Sequence, residues 1–342
     1  MPWHSCGDYD TLVYYKPVLE LLGSKPDVIH VGSRAGNVCD IPLSALDTSA
    51  DGLVSGPPCP PYSTIGKRLC TLDPRSAVFV CVATWVLHLI HHGSLRWWII
   101  ENVLGIRKRK HGETESFADW FVREMRNELP VGWQLDVVEH CSSLTGVPQK
   151  RGRVFFVGTS PALRATPLQR RLLRAPPVRR PAADIVELLD QAAQADDWEL
   201  LTLRQQVNLL AQLDAFRATE ASRTTIGICD VARDPLRKMD GDISTGRTKT
   251  LRTNCSHLWI LPGHDAAHRH IFGDKGRLLN RSEKCRLSGM VPSSLRDLTS
   301  HEVDVAVGNT IPVPLIGCIL YPVLRCWVES LRPTLEGDTS AE

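Results

Sequence analysis

The chain has 342 residues, 43% of them hydrophobic, with a formal net charge of +2. That length and apolar content allow a sizeable core, in two domains or in one with an insertion. A charge this close to neutral excludes a polybasic chain, so any contact with nucleic acid must come from a local basic surface. In chain order, Asp27–Val31 reads as a strand, and Gly52–Ser55 as a second that runs into Gly56-Pro57-Pro58. Residues 75–92 are apolar at helical spacing, and Arg96–Ile100 forms a strand ending at Glu101-Asn102. A polar helix covers 114–129, and Arg153–Gly158 is a further strand. Such alternation predicts an α/β fold with a mostly parallel sheet and helices on both faces. The character changes near residue 160. Pro161–Pro181 is rich in Pro and Arg and reads as a linker, followed by a helical stretch to about 218. A region rich in Thr, Gly, Asp and Arg runs on to about 275, so 161–276 reads as a separate, irregular module. Sheet-like patterning returns only briefly, at about 303–325.

Eleven cysteines are scattered without a C-x-x-C pair, which argues against a structural zinc site. No stretch reads as apolar enough to span a bilayer, and no basic-then-apolar leader opens the chain. The expectation is a reduced intracellular protein whose cysteines are mostly small core residues.

One cysteine has unusual neighbours. Gly56-Pro57-Pro58-Cys59-Pro60-Pro61-Tyr62-Ser63 sets Cys59 on a proline-stiffened turn directly after a strand. Ligands of α/β sheets bind outside the carboxyl ends of strands. A nucleophilic thiol must ionise, and its ordinary pKa of about 8.5 falls beside cationic groups. The plain alternative is a turn with a buried thiol. Ile99-Ile100-Glu101-Asn102-Val103 places an acid on the same edge, or simply marks a solvated strand end. In Gly146-Val147-Pro148-Gln149-Lys150-Arg151-Gly152-Arg153, alternation along an extended segment puts Gln149, Arg151 and Arg153 on one face. Arginines so spaced can grip carbonyl or phosphate oxygens, or can keep an edge strand from aggregating. Gly308-Asn309-Thr310-Ile311-Pro312 is a turn opening a final helix.

Taken in order, Pro-Pro-Cys-x-x-x-Ser, Glu-Asn-Val, Gln-x-Arg-x-Arg and Gly-Asn-x-x-Pro resemble the motif series of DNA (cytosine-5)-methyltransferases. Arg277–Gly289 is similar to that family's segment leading from the recognition domain back to the catalytic one. The resemblance covers most of 36–160 and 276–325, and 161–276 takes the place of the family's variable target-recognition domain. It implies a Rossmann-like S-adenosylmethionine-dependent methyltransferase sheet with a small, irregular inserted target-recognition domain. The implied boundaries are an N-terminally incomplete catalytic domain at 1–160, a recognition domain at 161–276, a return segment at 277–330 and a disordered tail at 331–342.

The resemblance also implies a chemistry. Cys59 attacks carbon 6 of an extruded cytosine. Glu101 hydrogen-bonds the exocyclic amine and ring nitrogen 3, while Arg153, with Arg151, holds the carbonyl at ring position 2. S-adenosylmethionine is the implied cofactor: Asp40 and Ile41 meet the adenine, Asp8 (or else Glu20) the ribose, and Pro57 and Asn309 also line its site. Double-stranded DNA is the implied partner of a monomer that touches no membrane and binds no metal, intracellular and nuclear if eukaryotic. Ser63, Gln149, Arg247, Lys249 and Arg252 are the implied DNA contacts, with Arg269, Lys275 and Arg277 as further phosphate candidates. The basic run Arg107-Lys108-Arg109-Lys110 reads as a solvated loop, a DNA contact or a nuclear import signal.

One family element is missing. Val31–Gly36 lies too close to Cys59 to be the Phe-x-Gly-x-Gly turn that cradles the methionine part of the cofactor. Counting back from Asp40 puts that turn at or before Met1. The expectation is that the chain is a truncated version of a longer enzyme, since losing a central strand leaves sheet edges unpaired. Two alternatives stay open: an inactive relative that binds DNA or a partner through 161–276, and an RNA cytosine-5 methyltransferase. The latter branch carries a Cys-Phe-Thr triplet, which is absent here.

Overall fold

A computed structural model describes residues 38–63, 73–109, 112–163, 184–190, 197–233, 243–253, 255 and 257–331. Asp8, Glu20, the strand expected at Asp27–Val31, Val31–Gly36 and most of the linker lie outside them.

The first sheet is built from β1 (Gly52–Ser55), β2 (Trp97–Val103), β3 (Gln134–Cys141) and β5 (Gly152–Thr159), in the order β1-β2-β5-β3. Only β1 and β2 run parallel in it; β5 is antiparallel to both β2 and β3. The expectation of a mostly parallel sheet is therefore corrected among the described strands. The short link from β3 to β5 has no room for a crossover helix, and a short link returns the chain antiparallel. The alternation of Gln, Asp and Glu with apolar residues in β3 also hid it from a search for apolar runs.

The apolar runs of β2 and β5 follow from burial on both faces. Trp98, Ile100, Val154 and Phe156 point into one core, with Phe79, Val82 and Val86 of α1 (Ser76–His92) and Phe121 and Met125 of α2 (Phe117–Glu128). Trp97, Ile99, Phe155 and Val157 point the other way, against Leu315, Ile319 and Val323 of the C-terminal helix. Full burial of each such side chain is worth about 1.5–3 kcal/mol. The Ser116 hydroxyl caps α2 by accepting from the Asp119 N–H at 3.1 Å.

Residues 303–325 are not sheet-like. Ser300–Asn309 and Val313–Leu331 are helices separated at Pro312, the first opened by a Thr299–Glu302 capping box. Their Val and Ile content mimics a strand, but the buried residues at 315, 319 and 323 recur at helical spacing. Val313–Leu331 also reaches the length and mean hydropathy (1.3) of a membrane-spanning segment, contrary to the expectation that no stretch does. Its apolar face is the one that covers the sheet.

The region expected to be irregular contains α3 (Leu203–Arg217), which meets the helical expectation, and a second, antiparallel sheet. Its strands, in the order β10-β9-β6-β7, are β6 (Gly227–Asp230), β7 (Ser244–Thr245), β9 (Leu258–Leu261) and β10 (Arg277–Leu278). Strands this short give too little alternation to be read from sequence. Trp259 and Leu261 pack there with Leu209, Leu213 and Phe216 of α3. Between the two sheets, β4 (Gln149–Lys150) pairs in parallel with β8 (Thr248–Lys249). The chain then passes through α4 (Ala266–Phe272), α5 (Arg281–Leu287), α6 (Ser300–Asn309) and α7 (Val313–Leu331).

Candidate active site

Cys59 sits half-buried on the turn that leaves β1. Its carbonyl accepts from the Tyr62 N–H at 3.0 Å and the Ser63 N–H at 2.9 Å, closing a tight loop. Tyr62 anchors that loop in the core, its ring centroid 4.8 Å from that of Phe117. Pro57 is buried, and its carbonyl accepts from the Asn102 amide at 3.3 Å, tying the turn to the end of β2. The parallel register Ser55↔Ile100 then brings Gly56 level with Glu101. A Cβ on Gly56 would stand 3.4 Å from the Glu101 Oε2, so the turn lies directly against the acid.

Because β5 is antiparallel to β2, its first residues lie at β2's carboxyl end, and Arg153 faces Val103. The Arg153 Nε meets the Glu101 Oε1 at 2.5 Å, both side chains being about nine-tenths buried. The Arg153 Nη1 also donates to the Gly152 carbonyl at 2.8 Å. Burial pushes the Glu101 carboxyl above its ordinary value, and the attraction of Arg153 and then Arg151 only partly offsets this.

The alternation predicted for the Gln-x-Arg-x-Arg segment is present: Gln149, Arg151 and Arg153 are buried while Lys150 is exposed. Arg151 is 2% exposed and donates from Nη1 to the Leu251 carbonyl at 2.8 Å and from Nη2 to the Gly308 carbonyl at 2.7 Å. Burial, with repulsion from Arg153 next, pushes its guanidinium down to about 9, so it is charged at neutral pH. The Gln149 side-chain amide is fully buried with no hydrogen-bond partner among the described residues. Arg75, which the sequence did not single out, lies like Arg151 within electrostatic reach of the Cys59 sulfur. Its fork is held by Asp73 at 2.7 and 2.9 Å, and the signal available was the Asp-Pro-Arg triplet that opens α1.

Residues 33–324 match the family described as C-5 cytosine-specific DNA methylase. The chain belongs to that family. Among curated relatives, the Type II methyltransferase M.DdeI of Desulfomicrobium norvegicum is 35% identical over 119 residues, 35% of this chain and 26% of that protein. The Type II methyltransferase M.MthTI of Methanothermobacter thermautotrophicus is 30% identical over 107 residues, 31% of this chain and 29% of that one. The chain thus spans little more than a quarter of the length of the curated relatives it matches. The crystal structure of S. pombe Dnmt2 methyltransferase superposes with a TM-score of 0.53 at 16% identity, covering 92% of this chain and 95% of that one. The Entamoeba histolytica methyltransferase EhMeth gives 0.53 at 15% identity, covering 95% and 89%. These likenesses carry the fold alone, a Rossmann-like α/β fold.

The remaining residues expected at the site differ in exposure and in partners. Asp40 is exposed at the end of a 3-10 turn, Val38–Asp40, and Ile41 is half-buried beside it. An exposed carboxylate next to Ile41 can accept from an adenine amine, and the half-buried Ile41 can lie against its flat ring. Asn309 is exposed at the end of α6, and Ser63 is half-buried in the Cys59 loop. Lys249 and Arg252 are half-buried, and Arg247 is exposed. Arg277, one of the further phosphate candidates, is instead buried: its fork pairs with Glu283 at 2.6 Å and donates to the Asp190 carbonyl at 2.8 Å. Lys275 stacks over Trp198 at 4.0 Å, and Arg107 pairs with Glu139 at 2.9 Å.

Proposed function

We propose that this chain methylates carbon 5 of cytosine in DNA through a covalent adduct between Cys59 and an extruded base. The observation that carries the reading is the buried Glu101–Arg153 pair set against the Cys59 turn. Carbon 5 of cytosine is a poor nucleophile. As the Cys59 thiolate forms a bond to carbon 6, the ring's electrons shift toward carbon 5 and onto the ring nitrogen and carbonyl. Glu101, with its carboxyl held toward the protonated form, donates to ring nitrogen 3 and accepts from the exocyclic amine. Arg153 has donors left beyond Glu101 and Gly152 and turns them to the carbonyl at ring position 2. S-adenosylmethionine, when bound, would be held by Asp40, Ile41, Pro57 and Asn309 and would supply an electrophilic methyl group, leaving as S-adenosylhomocysteine. A base then takes the proton from carbon 5, and the Cys59 sulfur leaves as the ring double bond re-forms.

The target must leave the stack for this, at a cost of about a few kcal/mol. The segment 161–276 is the recognition domain of the proposal, and Ser63, Arg247, Lys249 and Arg252 are the residues proposed to face DNA, while Gln149, fully buried, is not among them. The protein acts as an intracellular monomer on double-stranded DNA. The test is transfer of label from methyl-tritiated S-adenosylmethionine to duplex DNA and, in parallel, to transfer RNA. Label in 5-methylcytosine of the duplex is expected; label only in the RNA, or none with cofactor bound, overturns the reading.

A further inference from the structure

The segment Thr248–Thr253 belongs by sequence to the recognition region, yet it is built onto the catalytic strip. β8 pairs with β4 in the register Gln149↔Thr248 and Lys150↔Lys249. The Thr248 N–H donates to the Pro148 carbonyl at 2.7 Å, and the Thr250 hydroxyl to the Lys150 carbonyl at 2.9 Å. Arg151 closes the arrangement from inside, holding the Leu251 carbonyl with one nitrogen and the Gly308 carbonyl with the other. Gly308 lies near the carboxyl end of α6, where a buried cation is favoured. At Gly308 the two backbones touch: a Cβ there would stand 2.2 Å from the Thr253 nitrogen and 2.4 Å from the Arg252 carbonyl carbon. Three remote segments thus meet at one guanidinium.

We infer that Arg151 is a positioning residue that locks the Thr248–Thr253 strip, and with it Lys249 and Arg252, in fixed register with the Glu101–Arg153 pair. Arg151 and Arg153 share one face of the same short segment, so a shift in the strip is felt at Arg153 and through it at Glu101. Arg252 and Lys249 line one cavity with Arg233 and Asp230, the latter two paired at 3.3 Å, so that Lys249 and Arg252 are its other cationic donors. This places a donor-rich surface at a set distance from the reacting base, which is what selection of a cytosine by its flanking nucleotides requires. The inference rests on the proposed DNA methylation for its functional half; the lock itself is a property of the chain.

Two variants test it. Arg151→Lys keeps the charge but has no fork to span two carbonyls, and Thr250→Val breaks the same strip from outside without touching the buried face. Both are expected to speed amide exchange across 248–252 roughly tenfold, the loss of about one good hydrogen bond, with 227–230 and 258–261 unchanged as the control for folding. On a pool of duplexes differing only around the cytosine, both are expected to narrow the spread of kcat/KM between contexts by a similar factor. Unchanged exchange at 248–252 in both variants overturns the lock. Faster exchange with the context spread of the parent chain overturns its role in selection. The exchange arm needs no substrate, so a failure of the methylation reading is distinguishable from a failure of the lock.

Discussion

Replacing Arg153 with Met removes the partner of a buried carboxylate while keeping the length of the side chain. Breaking a buried pair of this kind costs about 3–5 kcal/mol when the surviving charge has no escape. Glu101 has one: it can take up a proton, and burial already pushes it that way. The cost is then capped by the free energy of protonating a glutamate of ordinary pKa 4.5. At about 1.36 kcal/mol per pH unit, that cap is roughly 3.4 kcal/mol at pH 7 and roughly 0.7 kcal/mol at pH 5. A group whose folded pKa is raised contributes most below its unfolded value and loses that contribution as pH rises through the folded one. Arg153→Met is therefore expected to be strongly destabilised at pH 7 and to recover most of its stability at pH 5. Urea unfolding followed by tryptophan fluorescence at the two pH values reads this directly. The same substitution in a Glu101→Gln background is expected to show no such difference. Equal destabilisation at pH 5 and pH 7 in the single variant would refute the reasoning.

Glu101→Gln alone is expected to lower kcat by roughly a hundred- to ten-thousandfold, the usual range for a positioned acid. In the parent chain kcat is expected to fall as pH rises through the raised Glu101 pKa, and a pH–rate profile of the variant is expected to lack that limb. Arg277→Met leaves Glu283, which has no exposure, without its fork and is expected to cost about 3–5 kcal/mol. The double change Arg277→Met with Glu283→Gln, which removes the charge but keeps an acceptor for the Asp190 and Asn280 N–H groups, is expected to recover most of that loss, checked by the same urea midpoints; a double variant no more stable than the single one counts against the pairing argument.

What the sequence disclosed follows from the period of each element. β2 and β5 could be read because a strand buried on both faces is one continuous apolar run, whereas β1, with Val54 exposed, was legible only from Leu53-Val54 running into the Gly-Pro-Pro turn. Cys59 and Glu101 lie just past and at the carboxyl ends of β1 and β2, and Arg153 at the amino end of the antiparallel β5, so the fold brings their segments together. β3 escaped because its polar residues interrupt any apolar run. The second sheet escaped because its strands have two to four residues each. Residues 303–325 misled because Val and Ile favour strands locally while burial against the sheet selects a helix. Arg151 marks the limit of local reading: its partners stand 100 and 157 residues away, so its spacing from Arg153 points to substrate while its contacts point to the chain itself.

The central claim is that the Cys59 sulfur bonds to the cytosine ring. Fluorine at carbon 5 leaves no proton to remove, so the sulfur stays attached and the protein is trapped on its DNA. Incubating the chain with S-adenosylmethionine and a duplex containing 5-fluorocytosine is expected to give a denaturation-resistant adduct that needs the cofactor and vanishes in Cys59→Ala. An adduct that persists in Cys59→Ala, or none from a folded chain that binds both ligands, would contradict the account.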